Sequence, residues 1–379
     1  MKEIGLYMHI PFCKQKCFYC DFCSFSNREK EISSYMNALR KEIKSWEEKL
    51  KSHKIKSIFI GGGTPSIVPV KEMDKILEVI HSKFHISENL EFSIESNPGT
   101  INKENLTYYL NNHINRLSMG LQSWQDIHLK RLGRIHTREE FSKNFLLARE
   151  IGFKNINVDL MFGLPNQTMK EWEETLDRIT ELNPEHISAY SLKIEENTPF
   201  YKSYEKGQLN LPTEELDRKM YHFAMDYLFD HGYEHYEISN FAKKEKECIH
   251  NKVYWNNEEY IGFGLGAHSY FNKKRFSNTM AMEEYLNNIC KNTTPCAFEE
   301  NISKNDEIAE TMFLGLRMMQ GIHIKSFKER FGCTPFEIYK EELLNFQKLG
   351  LLYTDDQYIR LTRKGIDLSN QVFIAFLPN

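Results

Sequence analysis

The stretch of this sequence that decides its fold reads Tyr7-Met-His9-Ile-Pro11-Phe-Cys13-Lys-Gln-Lys-Cys17-Phe-Tyr-Cys20. It ends an apolar run and then brings three cysteines together in the spacing C-x3-C-x2-C. Three thiolates from one loop can hold three irons of a [4Fe–4S] cluster and leave the fourth iron open to an outside ligand. A zinc knuckle is the alternative, and it would need a fourth ligand from Cys23 or His9. We predict a cluster held by Cys13, Cys17 and Cys20.

Outward from this stretch, apolar runs typical of strands alternate with amphipathic helical patterns. The predicted strands are Ile4–Ile10, Ile55–Ile60, Leu90–Ile94, Arg116–Gln122, Ile156–Phe162 and His186–Ile194. The predicted helices between them are Glu31–Leu50, Val70–Phe84, Lys103–Asn112, Arg138–Ile151 and Met169–Leu182. Strands that alternate with helices indicate an α/β protein with a parallel sheet. Six such units predict a partial (β/α)6 TIM-like barrel, with functional groups at the carboxyl ends of its strands.

The remainder of the chain is expected to form a linking region and a second domain. A long helix predicted over Thr213–Phe241 completes a barrel domain at residues 1–240. The segment Lys243–Tyr270 is polar, aromatic and glycine-containing, which predicts loops, and we assign residues 241–300 to a linking region. Residues 301–379 follow the order helix, helix, strand, turn, strand, which predicts an α+β winged-helix-like domain. Its ten Lys and Arg residues balance ten Asp and Glu residues, so we do not expect nucleic-acid binding.

Composition narrows the class of protein further. The 379 residues carry a net charge of −4, so no overall basic field attracts nucleic acid or anionic lipid. No apolar stretch approaches the roughly 20 residues that a membrane-spanning helix needs, so we expect no membrane span. Eight cysteines, four of them within eleven residues, argue against a disulfide framework. We therefore expect a cytoplasmic protein.

Taken together, these motifs resemble the radical S-adenosylmethionine (SAM) superfamily, in the branch of the oxygen-independent coproporphyrinogen III oxidases. The resemblance implies a radical SAM barrel in which SAM chelates the open iron, followed by a HemN-like C-terminal domain. It also implies that an electron cleaves SAM to methionine and a 5′-deoxyadenosyl radical. Tyr7 matches the tyrosine that helps to position SAM. In the run Gly61-Gly-Gly-Thr-Pro65, Gly62, Gly63 and Thr64 match the strand end that contacts the SAM amino group through the backbone.

Four more residues match SAM contacts of the family, and they are spread over successive strand ends: Glu95, Gln122, Arg134 and Asp159. The resemblance implies that Glu95, in Ser-Ile-Glu-Ser-Asn-Pro, holds the ribose hydroxyls of SAM or neighbouring groups. The resemblance also implies that Arg134 binds the methionine carboxylate of SAM, because a guanidinium can bind a carboxylate through two hydrogen bonds. A carboxylate at the end of an apolar strand is costly unless it has a partner, and a bound ligand can supply one.

Three features favour the HemW-type haem chaperones over the oxidases within this branch. The oxidases carry a fourth cysteine two residues after the third, where this chain has Phe22 and places Cys23 one position later. The chain begins twelve residues before Cys13, so we expect it to lack the N-terminal extension of the oxidases. The run His250-Asn-Lys-Val-Tyr254-Trp255 fits the H-N-x-x-Y-W motif associated with the chaperones.

The chaperone resemblance implies haem as a ligand, a recipient haemoprotein, and an electron donor such as flavodoxin or ferredoxin. A histidine can ligate haem iron and aromatic rings can stack on a porphyrin, so His250, Tyr254 and Trp255 are the haem candidates. Cys248 is a further candidate contact, and His268 is a polar residue without an assigned role. Two alternatives stay open, namely radical decarboxylation of coproporphyrinogen III and radical methyl transfer that opens the haem ring. Whether SAM is turned over, and so whether the protein is an enzyme, is also left open.

Overall fold

A computed structural model of the chain describes residues 1–378. Its strands, in chain order, are β1 (Lys2–Ile10), β2 (Phe12–Cys13), β3 (Phe25–Ser26), β4 (His53–Gly62), β5 (His85–Ser96), β6 (Arg116–Gln122), β7 (Ile156–Phe162), β8 (His186–Ser191), β9 (Glu234–Glu237), β10 (Asn240–Ala242), β11 (Tyr260–Phe263), β12 (His268–Phe271), β13 (Lys274–Asn278), β14 (Cys296–Asn301), β15 (Ile322–His323), β16 (Leu352–Thr354) and β17 (Tyr358–Leu361). Its helices are α1 (Ile32–Ser45), α2 (Glu47–Leu50), α3 (Val70–Lys83), α4 (Lys103–Asn111), α5 (Asp126–Arg131), α6 (Arg138–Ile151), α7 (Met169–Leu182), α8 (Pro199–Glu205), α9 (Glu214–Asp230), α10 (Ile249–Trp255), α11 (Met282–Cys290), α12 (Lys304–Gly315), α13 (Ile324–Phe331), α14 (Pro335–Ile338), α15 (Lys340–Lys348), α16 (Arg363–Asp367) and α17 (Ser369–Ile374).

The centre of the molecule is a parallel sheet in which β1, β4, β5, β6, β7 and β8 lie side by side in chain order. This arrangement confirms the partial barrel predicted from the alternating pattern. Side chains alternate along each strand, so one set of β1 residues, including Leu6 and Met8, is buried in the hydrophobic core with the helices. The other set, including Tyr7 and His9, lines the interior of the barrel. The barrel interior therefore receives the polar and aromatic side chains.

Two capping boxes set the start of the crossover helices α6 and α7. The Thr137 side chain accepts a hydrogen bond from the Glu140 backbone while Glu140 bonds back to the Thr137 backbone, and Thr168 and Glu171 repeat this pattern. Gly152 ends α6 in the left-handed conformation, with φ of 118°. Both helices have the bounds predicted from the sequence.

The region 241–300, expected to be a linking region with loops over Lys243–Tyr270, contributes four strands to the main sheet instead. Strand β11 pairs in parallel with β1 on the side opposite β4, and β12, β13 and β14 extend the sheet from there in antiparallel pairs. The helix expected over Thr213–Phe241 ends at Asp230, and Gly232 with φ of 81° turns the chain into β9 and β10. These two strands pair antiparallel beyond β8.

The C-terminal part of the chain has its own core and its own small sheet. Helices α12, α13 and α15 bury Met312, Phe327 and Leu343 against a sheet with the order β15-β17-β16. This is the predicted α+β, winged-helix-like arrangement, and the predicted range 301–379 lies within the described residues except for its last residue, Asn379. Backbone hydrogen bonds from Ile238 N–H to Arg317 O and from Met319 N–H to Tyr236 O join this part to the barrel.

Among residues 1–378, no helix has both the length and the apolar composition needed to cross a membrane.

Candidate functional site

The loop that carries the three predicted cluster ligands is fixed at several points. Cys13 ends β2, which pairs with β3 and so closes the loop at its base. The Thr64 hydroxyl donates to Cys13 Sγ at 3.6 Å, and a guanidinium nitrogen of Arg134 donates to Cys17 Sγ at 3.5 Å. The Cys20 backbone N–H donates to the carbonyl of Cys17 at 3.2 Å. The cysteines are thus held by contacts from the segment after β4 and from the segment after α5.

Burial and neighbouring charges both act on the thiols of this loop. Burial is the main cause that raises the pKa of Cys20 to about 11, and the neighbouring Cys17 and Cys13 thiolates raise it further. Burial also raises the pKa of Cys13. Such thiols lose their protons on binding iron, because the thiolate is the metal ligand.

The structure also bears on the zinc-knuckle alternative. His9 Nδ1 lies 3.0 Å from the Tyr7 hydroxyl and its Nε2 lies 2.7 Å from the carbonyl oxygen of Cys23. Both ring nitrogens are therefore engaged, and His9 is not free to act as a fourth ligand. Within residues 1–378, no three His, Cys, Asp or Glu side chains, those of Cys13, Cys17 and Cys20 included, are grouped around a metal position, so the loop thiols would have to move together to bind either zinc or a cluster.

The glycine-rich end of β4 lies directly against the cysteine loop. A Cβ atom on Gly63 would be 2.6 Å from the carbonyl oxygen of Phe12 and 3.0 Å from Cys13 Sγ. Gly62 has φ of 112°, and a Cβ there would be 2.5 Å from the His9 ring. Its N–H donates to Glu95 Oε2 at 3.0 Å. Only glycine lets this strand end approach the loop so closely.

Glu95 and Asp159 face the barrel interior from β5 and β7. Burial, together with the charge of Asp159, raises the pKa of Glu95 to about 8, although the Gly62 N–H opposes this shift. Asp159 accepts hydrogen bonds from Ser118 at 3.0 Å and from Asn157 at 2.8 Å. A largely protonated Glu95 beside an Asp159 held by two donors gives the barrel interior both a donor and an acceptor for ligand hydroxyl groups.

The pKa of Glu95 leads to a prediction about stability. A carboxyl whose pKa is raised on folding favours the folded state below its ordinary value of 4.5, and this contribution is lost as the pH rises toward about 8. The Glu95→Gln side chain does not titrate and so does not lose this contribution. As the pH rises through this window, the free energy of unfolding of the variant, relative to that of the native protein, should increase by on the order of 1 kcal/mol per pH unit. Urea unfolding at pH 5, 6, 7 and 8 measures the difference.

The control is Glu88→Gln, on the exposed part of the same strand, which should follow the native protein across the whole pH range. A constant difference between Glu95→Gln and the native protein from pH 5 to pH 8 would contradict the raised pKa.

Gln122 and Arg134 meet at the carboxyl end of β6. Gln122 has φ of 77°, a conformation that is strained for a residue other than glycine and that is often found at functional sites. One guanidinium nitrogen of Arg134 donates to the Gly120 carbonyl and to the Asn97 side chain. The buried Nε–H of Arg134 has no hydrogen-bond partner among residues 1–378. This orphaned donor fits the predicted role of Arg134 in holding a ligand carboxylate.

Two cavities in the barrel bring part of the predicted site together. The larger has a volume of about 480 Å³ and is lined by Tyr7, Gly62, Glu95, Tyr254 and Trp255, with further residues of β11, β12 and α12. The smaller has a volume of about 200 Å³ and shares Tyr7, Glu95 and Tyr254 with the first, adding Asp159 and His250. Of the residues predicted for SAM, Tyr7, Gly62, Glu95 and Asp159 therefore line the same cavities as the three haem candidates, whereas Gly63, Thr64, Gln122 and Arg134 line neither.

The three haem candidates lie on α10 in different environments. His250 is 1% exposed, while Tyr254 and Trp255 are half-buried and line the larger cavity. The guanidinium of Arg317, from the segment after α12, lies over the Trp255 ring at 4.4 Å from its centroid. Cys248, the further candidate contact, is completely buried and its thiol donates to Glu91 at 3.4 Å. It lines neither cavity, so the structure does not place it against a ligand there.

Several residues around the cavities were not anticipated from the sequence. His9 shares a strand face with Tyr7, and that two-residue spacing was a usable signal. Arg116 is buried and lines the smaller cavity, and Arg275 lines the larger one while paired with Glu310 at 2.8 Å. Their positions depend on the pairing of distant strands, which local patterns do not reveal.

Known proteins match both parts of this fold. Residues 7–179 match the Radical SAM superfamily and residues 302–368 match the HemN C-terminal domain. A protein of Bacillus subtilis named heme chaperone HemW is 39% identical over 372 residues, which cover 98% of each chain. The chain belongs to the HemW family. A HemW of Lactococcus lactis is 37% identical over 376 residues, covering 99% of this chain and 98% of its own.

The HemW match confirms the predicted superfamily and the predicted branch. A solved structure also shares the fold, that of the radical SAM enzyme coproporphyrinogen III oxidase (HemN) from Escherichia coli. Its TM-score is 0.87 at 22% identity, with 99% of this chain and 90% of that chain covered. At this identity the likeness of the HemW-family chain to HemN concerns the fold alone.

Proposed function

We propose that this protein is a haem chaperone, which binds haem in the larger cavity and passes it to a recipient haemoprotein. The observation that carries this proposal is the lining of that cavity. Tyr254 and Trp255, from the motif associated with HemW-type chaperones, face the same space as Tyr7 and Glu95 from the predicted SAM site. A cavity of several hundred Å³ with aromatic walls and few polar groups is suited to a large flat ligand.

We propose Cys13, Cys17 and Cys20 as the ligands of a [4Fe–4S] cluster, with SAM beside it. When bound, the cluster and SAM would supply either reductive cleavage of SAM or regulation of haem transfer. The chain's own part is to fix the ligand and the loop: the Arg134 Nε–H has no protein partner and is the donor proposed for a carboxylate, and Gly62 and Gly63 let the end of β4 lie against His9 and the Cys13 loop. Tyr7, whose pKa burial holds well above its ordinary value, remains a hydroxyl donor.

The proposal also includes an electron donor and a cellular compartment. Reduction of a cluster requires a one-electron donor, and we propose a small carrier such as flavodoxin or ferredoxin. All eight cysteines are free, which suits a reducing compartment such as the cytoplasm.

The test is anaerobic reconstitution with iron, sulfide and SAM, followed by haem titration and an assay of coproporphyrinogen III turnover on the same preparation. We expect saturable haem binding at about one haem per chain, and no release of carbon dioxide from the porphyrinogen propionates. Carbon dioxide release with vinyl products would instead assign the decarboxylase activity. A linear tetrapyrrole among the products would assign ring opening.

A single substitution sharpens this test. Trp255→Ala removes an aromatic wall of the cavity. We expect haem affinity to fall about tenfold, because stacking of a porphyrin on an aromatic ring contributes on the order of 1 to 2 kcal/mol. Trp124→Ala removes a half-buried tryptophan outside the cavity and should leave haem affinity unchanged. Equal affinity in the two variants would contradict the assignment of this cavity to haem.

A further inference from the structure

The predicted axial ligand, His250, has no nitrogen available to iron in this structure. Its Nδ1 lies 2.9 Å from the Ser57 hydroxyl and its Nε2 lies 2.8 Å from the Tyr254 hydroxyl. Phe59 stacks on the imidazole with ring centroids 5.4 Å apart. Iron ligation uses the lone pair of an imidazole nitrogen, and here both nitrogens are taken up by hydroxyl groups. To bind iron, His250 would have to leave a buried and fully bonded position.

Two imidazoles, those of His9 and His268, line the larger cavity, which His250 does not, and both ring nitrogens of His9 are hydrogen-bonded. His268, the first residue of β12, is exposed and lines the cavity, and no residue within 1–378 makes a hydrogen bond to its ring. Its backbone is held firmly. The Gly262 N–H donates to the Ser269 hydroxyl at 2.9 Å, and a Cβ on Gly262 would be only 2.2 Å from the His268 carbonyl oxygen. The glycine thus lets β12 lie tightly against β11, which presents the imidazole from a rigid strand.

We propose that His268 is the axial ligand of the haem iron in the larger cavity, and this rests on the proposed haem-binding function. Tyr254 and Trp255 line the same cavity and supply aromatic contacts for the porphyrin. His250 is a positioning residue, since its Nε2 engages the Tyr254 hydroxyl and so holds that ring in the cavity wall. The iron porphyrin is bound as cargo, through one nitrogen–iron bond that forms without any change in the oxidation state of the iron.

The experiment titrates the reconstituted full chain and its variants with ferric haem, and reads the axial ligand from the Soret band and from electron paramagnetic resonance. For His268→Ala, we expect loss of the nitrogen-ligand signature and a fall in haem affinity of about tenfold or more. Added imidazole should restore the signature, because it can enter the space that the side chain leaves. His85→Ala, an exposed histidine at the opposite end of the barrel strands, should behave as the native protein.

A second variant separates the two histidines. His250→Gln keeps a side chain that can bond to Ser57 and Tyr254, so we expect the native axial signature to remain even where affinity is lower. If His250→Gln loses the signature and His268→Ala keeps it, the assignment of His268 is overturned while haem binding stands. If the native protein binds no haem at all, the proposed function falls and the ligand assignment falls with it.

Discussion

Cys13→Ser is expected to leave the chain without its iron–sulfur cluster. Cys13 is one of the three proposed cluster ligands, it is buried, and Thr64, two residues after the end of β4, donates a hydrogen bond to its sulfur. A serine hydroxyl is a poor ligand for iron beside thiolates, and a cluster held at two corners is lost. Iron and acid-labile sulfide after anaerobic reconstitution should fall to under about a tenth of the native content. The broad cluster absorption should disappear in parallel.

Cys23→Ser is the matched control, since it changes a thiol of the same segment. The Cys23 side chain faces the larger cavity beside Gly266, and its thiol donates a long hydrogen bond of 3.8 Å to the Met280 carbonyl. We expect this variant to keep its full complement of iron. Equal loss of iron in both variants would mean that the cluster, or another metal, uses four cysteines.

Gly63→Ala has the second largest expected effect, because the added methyl group meets backbone rather than a movable side chain. The new Cβ would lie 2.6 Å from the Phe12 carbonyl oxygen, so β4 or the cysteine loop must shift. We expect the free energy of unfolding to fall by about 1 to 3 kcal/mol. Cluster content and SAM binding should fall as well, since the shift acts on Cys13 directly. Urea unfolding and equilibrium dialysis with SAM measure the two effects.

Gly207→Ala separates crowding from backbone strain. Gly207 has φ of 64°, and no atom within 4 Å would meet its Cβ. Its variant should lose about 1 kcal/mol through the left-handed backbone alone, and should bind SAM as the native chain does. If Gly63→Ala is as stable as Gly207→Ala and binds SAM equally well, the close approach of the end of β4 to the cysteine loop is not required for stability or for SAM binding.

Much of the barrel could be predicted from the sequence because its signals are local. Strands β6 and β7 and helices α6 and α7 have the predicted bounds, set by apolar runs and by capping boxes such as that of Thr137 and Glu140. Since parallel strands end at one edge of a sheet, the positions of Gly62 and Glu95 at strand ends also predicted their meeting, whereas Asp159 was expected at a strand end and lies in the middle of β7.

The rest of the molecule depends on distant pairings. Strand β11 is only four residues long, and its apolar character is hidden among polar and aromatic neighbours until it pairs with β1. For the same reason, the sequence could not distinguish His250 from His268. The sequence does not show whether a histidine side chain is buried and hydrogen-bonded or lines a cavity. For His250, the packing of α10 against β4 determines this, because it brings the imidazole to Ser57.

The pairing of β1 with β11 has a consequence for how the chain is made. The first strand finds one neighbour, β4, early in synthesis, but its other edge stays bare until Tyr260–Phe263 has left the ribosome. A bare edge can pair with the edge of another chain, and contacts of such long sequence separation form slowly. Nascent chains truncated before Tyr260 would keep the unpaired edge of β1 permanently. We therefore expect incomplete translation products of this protein to aggregate readily.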